Sequence, residues 1–133
     1  MHHYLAALDA FALWFALAIG LTSVFVSAYL WITPQHELAL IREGNISAAV
    51  CLSGTLLGYV LPLASAMVHG ADVYDFACWG VVAMLVQLAV YLVLRLSFRN
   101  LTHDILEDRV SVSILAAGVS LAAGILNAAA LSD

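Results

Sequence analysis

Charge is what this chain has least of. Its 133 residues include 9 acidic and 4 basic side chains, 10% charged in all, for a formal net charge of -5. Soluble domains are about a quarter charged and about half apolar, so an ordinary soluble fold is excluded. So few cations also exclude a nucleic-acid surface and a polybasic lipid-headgroup site, which both need clustered Lys and Arg. Cysteine and proline are scarce, 2 of each. Cys51 and Cys78 fall near opposite ends of consecutive apolar stretches, too far apart for a disulfide, and are expected to be small packing residues. The sequence has no HExxH, nucleophile elbow, Gly-rich phosphate loop or carboxylate pair inside an apolar stretch. The expectation is a protein that is not an enzyme and needs neither cofactor nor metal.

What is there is hydrophobic: 65% of residues, with a mean hydropathy of +1.04. Residues 46–69 carry no charge and, at about 1.5 Å per helical residue, are long enough to cross a hydrocarbon core of about 30 Å. Gly54 and Gly58 form a small-xxx-small pattern for close helix contact in lipid. Pro62 removes the amide that would bond the Gly58 carbonyl, so this helix is expected inside a bundle where protein can supply a partner. Residues 10–32, 76–97 and 110–132 make three further spans, with Trp14, Tyr29 and Trp31 read as interfacial aromatics. Residues 34–45 and 98–109 are short amphipathic links; Leu38 and Ile41, and Phe98, Leu101, Ile105 and Leu106, supply their apolar sides. Residues 1–9 lack the basic start and cleavage site of a signal peptide, so the first span should be retained.

At a constant offset of 64 positions the chain aligns with itself without a gap: Ile41 falls on Ile105, Glu43 on Glu107, Ser47 on Ser111 and Gly54 on Gly118. The fold expected is therefore all-α and integral to the membrane, four transmembrane helices as two tandem two-helix repeats, 1–69 and 70–133, about a pseudo-two-fold axis along the membrane normal. The basic residues Arg42, Arg95, Arg99 and Arg109 all lie at or beside the links. By the positive-inside rule the links face the cytoplasm and both termini the periplasm.

Within the spans, Gln87 and Asn127 are the costliest polar groups and should be paired, as helix glue or along a solute path. With Gly54, Gly58, Pro62, Gly118 and Gly124 they form the candidate packing face or path. Asn127, at the depth of Pro62, is expected to bond near Gly58 to Pro62, in its own chain or a neighbouring copy, or through a water. His36, Glu37, Arg42, Glu43, His103, Asp104 and Glu107 form a candidate cytoplasmic face for a partner. Their imidazoles and carboxylates lack metal-ligand spacing, and a solvated polar turn explains them.

The blocks ITPQHELALIREGN and SGTLLGYVLPLASA, with the closing GILNAAA, resemble the YjfL-like family of small bacterial inner-membrane proteins, defined by a tandem two-helix domain of unknown function. The resemblance covers the whole chain and implies four spans, an inner-membrane location and no assigned reaction. Relatives beside genes for phage-shock-like and glutathionylspermidine-synthetase-like proteins imply envelope maintenance with envelope-stress partners. The function expected is an oligomeric membrane anchor or scaffold in the lipid bilayer; the alternative is a small channel or transporter for an ion or small solute.

Overall fold

Apolar runs this long can hide their backbone from lipid only by forming helices, and helix is what the chain forms. The fold was obtained as a computed structural model, which describes residues 2–33, 37–69, 72–97 and 100–131. The elements in order are α1 (His2–Ile32), α2 (Glu37–Arg42), α3 (Ile46–His69), α4 (Val73–Ser97), α5 (Leu101–Leu106) and α6 (Val110–Leu131), with no strand among the described residues. Four of them, α1, α3, α4 and α6, are long and apolar enough to cross a membrane.

The helix ends follow local chemistry. α3 begins where the Asn45 side-chain oxygen accepts the Ala48 amide at 2.8 Å, and α4 where Asp72 does the same for Asp75 at 2.8 Å, both N-caps. That cap starts α4 at Val73, ahead of the residue 76 read from hydropathy. α1 likewise starts at His2 rather than residue 10, because nothing in its leading residues breaks a helix. Pro62 sits inside α3 without ending it.

α3 is the centre. It is half buried, whereas α1 buries only a few residues, and its largest contact is with α6. The two helices run parallel at very short range. A Cβ on Gly54 would lie 2.9 Å from the Ala117 carbonyl oxygen, one on Gly58 2.9 Å from the Ser120 carbonyl carbon, and one on Gly124 2.7 Å from the Gly58 carbonyl carbon. Only hydrogen fits at these three positions. Further along, the Ser65 hydroxyl donates to the Ala128 carbonyl at 2.9 Å.

Aromatics attach the other two spans. Phe25 of α1 stacks on Tyr59 of α3 at 4.4 Å and lies 6.3 Å from Tyr29, which meets Tyr91 of α4 edge-on at 5.2 Å. Trp14 stacks on Phe76 at 5.2 Å. Tyr29 is thus a core residue, 0% exposed, rather than an interfacial one, while Trp31 remains 86% exposed. Of the cysteines, Cys51 is buried as expected but Cys78 is exposed.

The link at α5 is drawn into the bundle more deeply than a surface amphipathic turn: Leu101 and Ile105 are 1% and 0% exposed, and it is Leu106 that faces out. Gly118, expected to pack as the counterpart of Gly54, has nothing near its missing Cβ and is exposed within the chain. Nor is the packing two-fold. α4 lies against both α3 and α6, while α1 lies against α3 and α4 with no comparable contact to α6.

Overpacking a close backbone contact costs about 1–3 kcal/mol, whereas exposed changes stay within about 0.5 kcal/mol. Gly124→Ala should therefore lower the unfolding midpoint in detergent, followed by circular dichroism, and Gly118→Ala should leave it in place.

Candidate functional site

Two places carry polar groups that the fold had to accommodate. The first is a junction of three helices inside the membrane. Gln87 of α4 is 1% exposed, and its amide donates to the Ser120 carbonyl of α6 at 3.2 Å. The amide nitrogen packs directly against the place where a Gly58 Cβ would stand. Gly58 thus admits both the α6 backbone and the Gln87 head group. This bond joins α4 to α6, with a partner that the spacing of Gln87 did not name.

Within the chain Asn127 does not make the expected bond. Its side-chain nitrogen is buried without a hydrogen-bond partner, so it does not cap the carbonyl that Pro62 leaves free. The Gly58 carbonyl instead abuts Gly124, where the approaching Cα–H offers a weak donor of the sort that recurs at close helix contacts. Gly124 lets the backbones come too near for a side-chain amide to enter between them. The Gln87 side-chain oxygen and the Ser47 and Ser113 hydroxyls are likewise buried without a partner.

The second place is the end of the bundle that carries the links. Both links close with the same turn. Gly44, at φ 88°, and Asp108, at φ 57°, are left-handed. Asn45 N–H bonds the Leu40 carbonyl at 2.9 Å and Arg109 N–H the Asp104 carbonyl at 2.8 Å, the six-to-one bond of a Schellman turn. An aspartate tolerates this conformation better than most side chains. Here its carboxylate accepts the Ser47 amide at 2.8 Å, capping α3 from the other link. In the other direction the Asn45 side-chain amide donates to the Ile105 carbonyl at 2.9 Å. The two links are strapped to each other.

Outside this strap lies an exposed charged group. Arg109 pairs with Glu107 at 3.0 Å and with Asp104 at 3.6 Å, and His103 reaches Glu107 at 3.1 Å. Arg42 and Glu43 are exposed on the other link. Glu37 opens α2; His36 and Arg99 lie outside the described residues, as do residues 70–71 at the expected repeat boundary. No group of three or more His, Cys, Asp or Glu able to hold a metal ion occurs among the described residues. Sequence reasoning missed Asn45, Ser47 and Asp108. The pairing of Gly44 with Asp108 under the 64-position offset was the available signal, since glycine at one copy flags a left-handed position at the other.

Losing an N-cap costs about 1 kcal/mol, and alanine is worse than glycine where φ is positive. Asp108→Ala should therefore destabilise the protein more than Asp108→Gly, measured as the shift in thermal midpoint of the purified protein.

A family model described as Domain of Unknown Function (DUF350) matches residues 3–131. The chain is 35% identical over 130 residues, 98% of each chain, to the UPF0719 inner membrane protein YjfL of Escherichia coli K12, and equally to that of Escherichia coli O157:H7. No solved structure matches. Four helices able to span a bilayer, and inner-membrane relatives matched almost end to end, make this a multi-pass inner-membrane protein that belongs to the family described as Domain of Unknown Function (DUF350).

Proposed function

We propose that the chain is an oligomeric membrane anchor or scaffold in envelope maintenance, presenting its strapped links to a cytoplasmic partner. The observation that carries this reading is the link end itself. α5 buries Leu101 and Ile105 completely while His103, Glu107 and Arg109 stay exposed, and the Asn45 and Asp108 bonds hold the two links in register. A rigid polar face loses little entropy when a protein docks on it. The proposal includes two tandem two-helix units, 1–69 and 70–133. Support comes from α2 and α5, and from the starts of α3 and α6, which coincide under the 64-position offset, and from the shared left-handed turn.

The alternative, a small channel or transporter, draws its support from the unpartnered buried oxygen of Gln87 and nitrogen of Asn127. In either reading the positive-inside rule puts the links in the cytoplasm and the termini in the periplasm.

A photo-reactive residue at His103 or Arg42 should capture a specific protein in native membranes, while the same probe at Tyr74, exposed at the other end, should not. Equal capture at both ends would contradict the scaffold. For orientation, Glu43→Cys should be unreactive and Tyr74→Cys reactive to an impermeant maleimide from the periplasm, in a chain carrying Cys78→Ser.

A further inference from the structure

The 64-position offset reveals a mismatch between what the two halves of the chain bury. The buried side of α4 includes Phe76, Gly80, Ala83, Met84, Gln87 and Tyr91. Their counterparts on α1 are Ala12, Ala16, Ile19, Gly20, Ser23 and Ser27, one helical face, and every one is exposed. The second span of each half repeats the pattern. α3 buries Cys51, Thr55, Gly58, Pro62 and Ala66, and their counterparts on α6, Leu115, Val119, Ala122, Leu126 and Ala130, are again all exposed. Inside the chain α4 packs on α3, where the Tyr59 hydroxyl donates to the Gly80 carbonyl at 3.1 Å. The corresponding sides of α1 and α6 make no comparable contact.

These two open sides fit each other. Small residues mark helix contacts in membranes, and on this side of α1 only Ile19 is bulky, while a Cβ on Gly20 would meet nothing within 4 Å. Along it runs a groove of about 560 Å³ lined by Ser23, Val24, Ser27, Ala28 and Trp31. The open side of α6 instead projects Leu115 and Leu126, 50% and 71% exposed. Inside the chain Tyr91 of α4 and Cys51 of α3 share one core cluster, large against small. At the counterpart positions the sizes are exchanged, Ser27 being small and Leu115 large. Exchanges that conserve volume are the ones packed contacts tolerate best.

We infer that α1 of one copy packs along α6 of a second copy, reproducing between chains the contact that α4 makes with α3 within one. The inference rests on the oligomeric part of the proposed function and deepens it by naming the two faces. α1 and α4 run toward the links, α3 and α6 away from them. Copies inserted the same way in the bilayer therefore bring α1 and α6 together antiparallel and at equal depth, which is the arrangement of α4 and α3 in the chain. A contact between unlike faces is head-to-tail, so each copy gives its α1 to one neighbour and its α6 to another until a ring closes.

The test uses two differently tagged full-length copies expressed together, one with Ser27→Cys and the other with Leu115→Cys, both also carrying Cys51→Ala and Cys78→Ser. Oxidation in native membranes should give a mixed-tag dimer that reverts on reduction. No such dimer should form when Val93→Cys, on an exposed side of α4, replaces Ser27→Cys. Gly20→Leu, at a site open within the chain, should shift the detergent-extracted complex to the monomer mass without moving its thermal midpoint. Equal cross-linking through Val93→Cys overturns the inference, as does capture of Ser27→Cys by a different protein in place of the second copy. An oligomeric mass without the mixed-tag dimer, or unchanged by Gly20→Leu, overturns these faces while leaving the oligomer standing. A monomer mass for the unaltered protein overturns both.

Discussion

The rest of the structure depends on how near α3 and α6 come to each other. In lipid there is no hydrophobic gain from pressing helices together, so packing and polar contacts must supply the attraction. Gly54, Gly58 and Gly124 bring two parallel backbones to van der Waals contact. The Ser65 bond adds to the seam, with a typical worth of about 0.6 kcal/mol for an interhelical bond in a membrane. Everything else is hung on this pair. Gln87 reaches Ser120 because Gly58 leaves room for it, and α1 is held by rings stacked on the far side of α3.

The same contact explains how the chain tolerates a proline in a buried membrane helix. A freed carbonyl in hydrocarbon calls for a donor, and a side-chain amide is the first candidate that sequence suggests. A glycine on the neighbouring helix brings its Cα–H to that oxygen instead. Close approach and the absence of a Cβ therefore act together, because a larger residue at 124 would both separate the helices and uncover the carbonyl.

Much of this was legible in the sequence. Hydropathy located all four spans and the whole of α3, because it acts locally along one helix. Less legible was the choice between equivalent surfaces. Gly54 and Gly118 correspond under the offset, yet Gly54 is packed on Ala117 and Gly118 is open; which of two matching faces turns inward is a matter of tertiary packing that a local pattern does not carry. Tyr29 near a span end reads equally as a belt residue or as a core one, and only its neighbours Phe25 and Tyr91 decide. The Asp108 cap on α3 joins positions 61 residues apart, a distance over which local pattern is silent.

Small-residue faces in membranes serve contacts within a chain or between copies, and the account requires this one to be used within the chain. Ser65→Cys and Ala128→Cys, introduced together in a chain lacking Cys51 and Cys78, place two thiols where a hydroxyl and a carbonyl now bond. Oxidation in native membranes followed by denaturing gel electrophoresis reads the outcome. A monomer with faster mobility that reverts on reduction is the predicted result; a cross-linked dimer, or no cross-link, would contradict the α3–α6 seam on which the account rests.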